Sequence, residues 1–148
     1  TAERCRHATD LPGDAQGEEI DRFAGSGLLG VSGISADTRD LLRDERPEAR
    51  EAIDLFTLRI AGEIGRMAAT LGGLNGIVFT AGIGEHQPEI RAAICNRLQW
   101  LNLKIDDKAN IANAPVLSTS ASSVAAFMIS TDEEQIIANE ALSVLASE

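Results

Sequence analysis

Nine of the 13 glycines in this 148-residue sequence fall in two short clusters, residues 25–33 and 72–84, and none follows Gly84. Glycine reaches positive φ and lets backbone approach a ligand closely, so irregular backbone and any ligand cradle belong in these clusters, with scaffold elsewhere. The second cluster constrains the fold most. Within IVFTAGIGEHQPEI, from Ile77 to Ile90, a β-branched and aromatic run reads as a buried strand over residues 76–80. Gly82 and Gly84 then make a turn, and a helix starts near Gln87 with Pro88 at its first position, where a missing N–H is harmless.

The remaining pattern is also α/β. A short helix is predicted over residues 18–24 and a second over 37–44, ending before Pro47. From Glu48 the apolar positions Ala49, Ala52, Ile53, Phe56, Ile60, Ile64, Met67, Ala68 and Leu71 recur at steps of three and four, which predicts one long amphipathic helix stopped by Gly72 and Gly73. Gly62 and Gly65 inside it imply close packing against another element. Further strands are predicted over residues 100–105, 114–117 and 124–130, and a last helix from Asp132 to about Leu145. Strands alternating with helices give α/β architecture.

Composition removes several function classes. A chain of 148 residues buries roughly 70% of its unfolded surface without disulfides or structural metal. Cys5 and Cys95 stand 90 positions apart, which fits neither a disulfide framework nor zinc-ligand spacing. No apolar run approaches a membrane span of about 20 residues. With 23 acidic against 13 scattered basic residues and a formal charge of −10, the chain lacks the basic face that nucleic-acid binding requires. A small molecule or a protein is the expected partner.

Three units carry candidate chemistry, each beside a plain structural reading. The turn at Gly82 and Gly84 lies beyond the carboxyl end of a strand, where α/β proteins gather ligands at helix N-termini, but two glycines also suit a tight strand-to-helix corner. In SGLLGVSGISADTRDL, from Ser26 to Leu41, Asp37 can accept from hydroxyls or ring nitrogens and Arg39 can stack on a base or pair with phosphate. The same residues also suit a helix cap with surface charges. In TDEE, from Thr131 to Glu134, Thr131 and Glu134 complete a capping box, which leaves Glu133 as a possible Mg²⁺ ligand or a simple first-turn acid. His7 and His86 pair with nothing at ligand spacing, and no serine or cysteine has a nucleophile's setting.

Taken together, SGLLGVSGISADTRDL, IVFTAGIGE and the terminal TDEE resemble the acetate and propionate kinase family in order and spacing over about residues 18–148. Residues 1–17 do not match and are expected to be a flexible leader. The resemblance implies a partial sugar-kinase/Hsp70/actin-like (ribonuclease-H-like) α/β domain, with a short mixed sheet and flanking helices. It implies transfer of the ATP γ-phosphoryl group to acetate, giving acetyl phosphate and ADP, with Mg²⁺ as the neutralising ion. Carried over by position, Asp37, Thr38 and Arg39 fall on the nucleoside segment. Gly82, Ile83, Gly84, Glu85 and His86 fall on the adenine-side loop, with Ile83 and Ile90 as apolar walls, and Glu133 falls on the Mg²⁺ ligand. The family often has an aromatic residue where Thr38 stands and asparagine where His86 stands. Only the C-terminal portion of the family is matched, so the catalytic and phosphate-gripping residues are expected outside this sequence and the isolated chain is expected to be inactive. The resemblance further implies a cytoplasmic homodimer that binds nucleotide and a short carboxylate, not nucleic acid or membrane. The alternatives are a non-catalytic dimerisation or interaction remnant, or a segment of a propionate or butyrate kinase.

Overall fold

The computed structural model describes residues 27–131. The predicted leader, the helix over 18–24 and the helix from Asp132, with Glu133 and Glu134, lie outside them. Contacts divide the chain into two units, residues 1–56 and 57–148.

In the first unit the glycine-rich stretch expected to be loop contains a short helix, α1 (Leu28–Ser32). Gly33 closes it at φ +63°, where its N–H donates to the Leu29 carbonyl at 2.7 Å. Helix α2 (Thr38–Arg43) matches the predicted span, with Asp37 as its N-cap accepting from the Arg39 N–H at 2.8 Å. Helix α3 (Pro47–Leu71) is the predicted long helix and runs on into the second unit. Leu41, Ala49 and Ala52 form a buried cluster against Leu28, Ile34 and Ile53. Along α3 the deeply buried positions are small, Ala49, Ala52, Thr57, Ala61 and Ala68, whereas Met67 and Leu71 are exposed. The predicted apolar stripe is therefore covered along only part of its length. Gly73 ends the helix as expected, its N–H reaching the Ala68 carbonyl at 2.8 Å. Gly65 is tightly packed, since a β-carbon there would sit 3.4 Å from the Trp100 ring, but Gly62 faces open space.

In the second unit, β1 (Gly76–Phe79) pairs in parallel with β2 (Ala125–Met128), in the register Gly76 to Ala125 and Phe79 to Met128. Gly76 is sterically favoured, because a β-carbon would stand a tight 3.2 Å from the Ala125 carbonyl oxygen. A single antiparallel bridge joins Val116 to Phe127 of β2. The fold is thus α/β, with a short two-stranded parallel sheet where a mixed one was expected, and flanking helices.

Three strand expectations need correction. β1 is not uniformly buried: Phe79 is covered but Val78 is 54% exposed, because among the described residues β1 pairs only with β2. The strand expected over 100–105 is a 3₁₀ turn at Gln99–Leu101, broken by Asn102 in the left-handed region at φ +56°, which asparagine tolerates. Only an isolated bridge from Ile105 to Ser118 remains of it. The strand expected over 114–117 is likewise reduced to the Val116 bridge.

Two further helices, besides α1, were not anticipated. Helix α4 (Ala81–His86) occupies the glycine turn, and α6 (Asp107–Ile111) starts at Asp106, whose carboxylate accepts from the N–H groups of Lys108 and Ala109. Between them α5 (Pro88–Arg97) begins with the predicted proline and buries Ile90, Arg91, Ile94 and Cys95. No helix among the described residues is long and apolar enough to cross a membrane.

Candidate functional site

The Asp37 segment is built by its cap. One Asp37 oxygen takes the Arg39 N–H, and the carboxylate also grips the same residue's guanidinium, with Nε at 3.1 and 3.0 Å and a terminal nitrogen at 2.5 Å. The Arg39 side-chain hydrogen bond, followed by its backbone N–H, holds the Asp37 carboxyl down at about 2. The Arg39 side chain is 68% exposed, so the pair presents a positive, planar group to solvent. Thr38 between them is buried. Behind this segment Ser35 donates to Asp40 at 2.9 Å and accepts from the Asp37 N–H at 3.0 Å, which fixes the entry to α2. The plain structural alternative raised by the sequence is observed: the residues make a helix cap and a surface ion pair, whose guanidinium keeps most of its surface exposed.

In the second unit the chain leaves β1 through extended Thr80 and turns at Ala81, which adopts φ +58°, an unusual conformation for a residue with a side chain. Gly84 lies close behind that corner: a β-carbon there would be 3.1 Å from the Phe79 carbonyl carbon. Gly82, by contrast, has nothing within 4 Å of its side-chain position, and Ile83 and His86 are exposed. Helix α4 thus offers solvent an accessible backbone at Gly82, an apolar side chain at Ile83 and a polar one at His86. Ile90, on α5, is 1% exposed and belongs to the core beneath the turn, not to its surface.

Glu85 points the other way. Its carboxylate is buried and accepts from the Ser130 hydroxyl at 2.8 Å, the Thr131 N–H at 2.9 Å and the Thr131 hydroxyl at 3.0 Å. The Thr131 N–H and then the Ser130 hydroxyl hold its carboxyl down at about 2. Thr131, expected as an N-cap, therefore also closes a long-range contact with α4.

Arg91 is a residue that the sequence reading passed over. It is fully buried with no carboxylate partner among the described residues, and its guanidinium makes five hydrogen bonds to neutral oxygens. Nε donates to Asn110 Oδ1 at 2.8 Å, one terminal nitrogen to the carbonyls of Gly84 at 2.8 Å and Glu85 at 3.0 Å, and the other to the Asn110 carbonyl and Asn113 Oδ1, both at 2.6 Å. Burial pulls its pKa below the usual guanidinium range. It anchors α4 from inside, through carbonyls that a helix C-terminus leaves without partners. The only advance signal was one arginine two asparagines could reach, which a sequence does not distinguish from a solvated side chain.

Among the described residues there is no group of three or more His, Cys, Asp or Glu placed to hold a metal ion, and Glu133 lies beyond them. This part of the chain does not by itself build a metal cage. A cleft of about 440 Å³ in the second unit is lined by Cys95, Asn96, Gln99, Lys104 and Asp107 among others, and contains none of the predicted site residues.

The comparisons with known proteins agree on one lineage. Residues 18–139 match the family model described as the Acetokinase family. The acetate kinase of Rickettsia akari (strain Hartford) is 48% identical over 120 residues, which is 81% of this chain and 31% of that protein. The acetate kinase of Rhodopseudomonas palustris (strain TIE-1) is 52% identical over 115 residues, 76% of this chain and 29% of that protein. Among solved structures, Porphyromonas gingivalis acetate kinase superimposes with a TM-score of 0.70 at 28% identity, covering 92% of this chain and 39% of its own. A propionate kinase from Francisella tularensis subsp. tularensis SCHU S4 gives 0.73 at 31%, covering 86% and 35%. The chain thus spans about 30% of the length of the first two relatives, and the sugar-kinase/Hsp70/actin-like class of its small sheet and helices agrees with these neighbours. On the match over residues 18–139, the chain belongs to the Acetokinase family.

Proposed function

We propose that this chain is the C-terminal, adenosine-side segment of an acetate kinase, which transfers the γ-phosphoryl group of ATP to acetate and yields acetyl phosphate and ADP. The observation that carries this reading is the exposed turn at Gly82, Ile83 and His86, anchored from beneath by buried groups, in a chain of that family. Open backbone at Gly82 and the apolar side chain of Ile83 suit one edge and face of a purine, with His86 as a polar neighbour and Ile90 and Gly84 supporting the turn. In the first unit, Asp37 pre-orients the Arg39 guanidinium for a nucleoside or phosphate, and Thr38 braces the segment from the buried side.

The chain's net charge of −10 cannot attract an anionic nucleotide, so affinity must come from backbone N–H groups and Arg39. Glu133 would hold one Mg²⁺, whose chemistry there would be to neutralise phosphate charge, and further donors must come from elsewhere. Phosphoryl transfer depends on cationic groups at the transferring phosphate, each worth up to ~10³ to 10⁵ in rate, and no such cluster is assigned here. The isolated chain is accordingly inactive or nearly so, acts in the cytoplasm as part of a homodimer, and leaves the carboxylate acceptor to be held by other residues.

The test is an amide-resolved titration with Mg·ADP. Shifts confined to residues 82–86 and Arg39, and lost affinity in Arg39→Ala, support the assignment; no shift at millimolar nucleotide refutes it. Turnover in an acyl-phosphate assay comparable to a complete kinase would overturn the expected inactivity.

A second reading, a dimerising segment without nucleotide affinity, is favoured by the exposed Leu58, Met67 and Leu71 on α3. Sedimentation of the wild type against a Met67→Glu, Leu71→Glu chain separates it, since loss of a dimer with unchanged nucleotide response would assign that face to a second copy.

A further inference from the structure

We propose that Glu85 is a positioning residue for the nucleotide-side turn: by accepting hydrogen bonds from Ser130 and Thr131 it fixes α4 against the chain leaving β2, and so sets nucleotide affinity without touching the nucleotide. This rests on the nucleotide reading above. Both carboxylate oxygens are engaged, Oε1 by the Thr131 N–H and hydroxyl and Oε2 by the Ser130 hydroxyl, and the residue is 8% exposed. Its place inside a motif that otherwise faces solvent therefore needs an explanation other than ligand contact. An anionic side chain aimed at a nucleotide would also oppose phosphate binding, whereas turned inward its charge strengthens three bonds that close a loop of 45 and 46 residues.

The corner it secures requires such an anchor. Ala81 sits at φ +58°, a conformation that persists only where surrounding contacts over-determine it. Helix α4 has six residues, too few to hold itself together in water. Arg91 holds the Gly84 and Glu85 carbonyls from the α5 side, and the Glu85 carboxylate holds the same turn of helix to the β2 side. The turn is clamped between two elements, and Gly82 and Ile83 are displayed from a fixed base. The low carboxyl pKa agrees with this, since the three donors stabilise the charged form.

The experiment compares the 148-residue wild type with Glu85→Ala, Glu85→Gln and the double variant Ser130→Ala, Thr131→Val. Mg·ADP affinity and hydrogen exchange at the Thr131 amide are both measured. Glu85→Ala is expected to weaken ADP binding at least tenfold and to speed Thr131 exchange at least tenfold, with exchange in the β1–β2 ladder unchanged. Glu85→Gln keeps an oxygen for Thr131 and is expected to recover most of both. The double variant removes both hydroxyl donors while leaving Glu85 in place, and a loss of ADP affinity there is the decisive supporting result. It also carries the test if Glu85→Ala does not fold. Wild-type affinity in the double variant, together with a loss in Glu85→Gln, overturns the proposal and makes Glu85 a ligand contact. A wild-type chain that does not bind ADP overturns the nucleotide reading and this use of the contact with it. Wild-type binding with an unaffected Glu85→Ala overturns the positioning role alone.

Discussion

Replacing Arg91 with methionine keeps most of the buried volume and removes the guanidinium. Five acceptors then lose their donor: Asn110 Oδ1 and carbonyl, Asn113 Oδ1, and the carbonyls of Gly84 and Glu85. A hydrogen bond to a charged group is worth about 1.5–3 kcal/mol, but not all five losses count in full. Asn113 is exposed and Gly84 is partly so, and both can recover bonds to water. The removal also relieves the desolvation that lowers the arginine's pKa. The two bonds to Asn110, which is 3% exposed, have no such compensation, and they set the expected cost of Arg91→Met at about 3–5 kcal/mol. Against a total stability of about 5–15 kcal/mol, that is a fall in Tm of roughly 6–20 °C. Arg91→Lys supplies a point charge with three donors in place of a planar fork with five and should fall between the two. Thermal and urea unfolding followed by circular dichroism and by the fluorescence of Trp100, the sole tryptophan, measures the series. An Arg91→Met chain within 1 kcal/mol of wild type would refute the argument that these bonds stabilise the α4–α5–α6 region.

Glycine substitutions should split by position: Gly62→Ala, with open space around the new methyl inside α3, should stabilise by about 0.5–1 kcal/mol, whereas Gly84→Ala, forced to 3.1 Å from the Phe79 backbone, should destabilise by about 1–3 kcal/mol. Urea midpoints in the reverse order would contradict the packing described. Burial pushes the Cys95 thiol up to about 12, so in a Cys5→Ser background a thiol reagent at pH 8 should label the native chain at least 100-fold more slowly than the unfolded one. Labelling at the rate of a free thiol would place Cys95 at the surface. Asp37, Asp44 and Glu85 are each held near 2, from ordinary values of 3.8, 3.8 and 4.5. Their folded values lie below their unfolded ones, so the stability they contribute is complete above about pH 4.5 and is lost as pH falls toward 2. Tm should therefore be level from pH 7 to 5 and decline below 4.5, with Glu85→Ala removing much of the decline; a Tm constant down to pH 2.5 would contradict the bonding assigned to Glu85. The exposed aspartate pairs should contribute little of it.

The elements legible in the sequence share one property: their signals lie within a few residues of one another. Asp37 caps α2 through the N–H two residues on, Pro88 opens α5, the three- and four-residue apolar period draws α3, and Gly73 ends it. The motif strings likewise nominated a candidate site; of its members Arg39, Gly82 and Ile83 are exposed, whereas Thr38, Glu85 and Ile90 are buried. What failed was whatever depended on a partner distant in sequence. A run such as residues 76–79 declares a strand but not how many neighbours cover it, and Val78 is exposed because β1 has one strand partner among the described residues. A strand is expected over residues 100–105, yet a single left-handed Asn102 breaks it.

The most instructive miss is α4. With two glycines in six residues its propensity argues for a loop, and no local signal argues otherwise. It is a helix because Arg91 satisfies its terminal carbonyls and Glu85 ties it to Ser130 and Thr131, contacts that a window of sequence cannot contain. The same two residues separate the motif's roles. Glycines at 82 and 84 look equivalent on paper, but only Gly84 is packed against backbone; Ile83 and Ile90 both look like apolar walls, but only Ile83 faces solvent. On the nucleotide reading proposed above, a turn whose own propensity is for disorder, held as a helix by a buried cation on one side and a buried carboxylate on the other, would bind with little entropy left to lose. That preorganisation is the physical reason to expect the Glu85 and Arg91 variants to lose affinity before they lose the β1–β2 ladder.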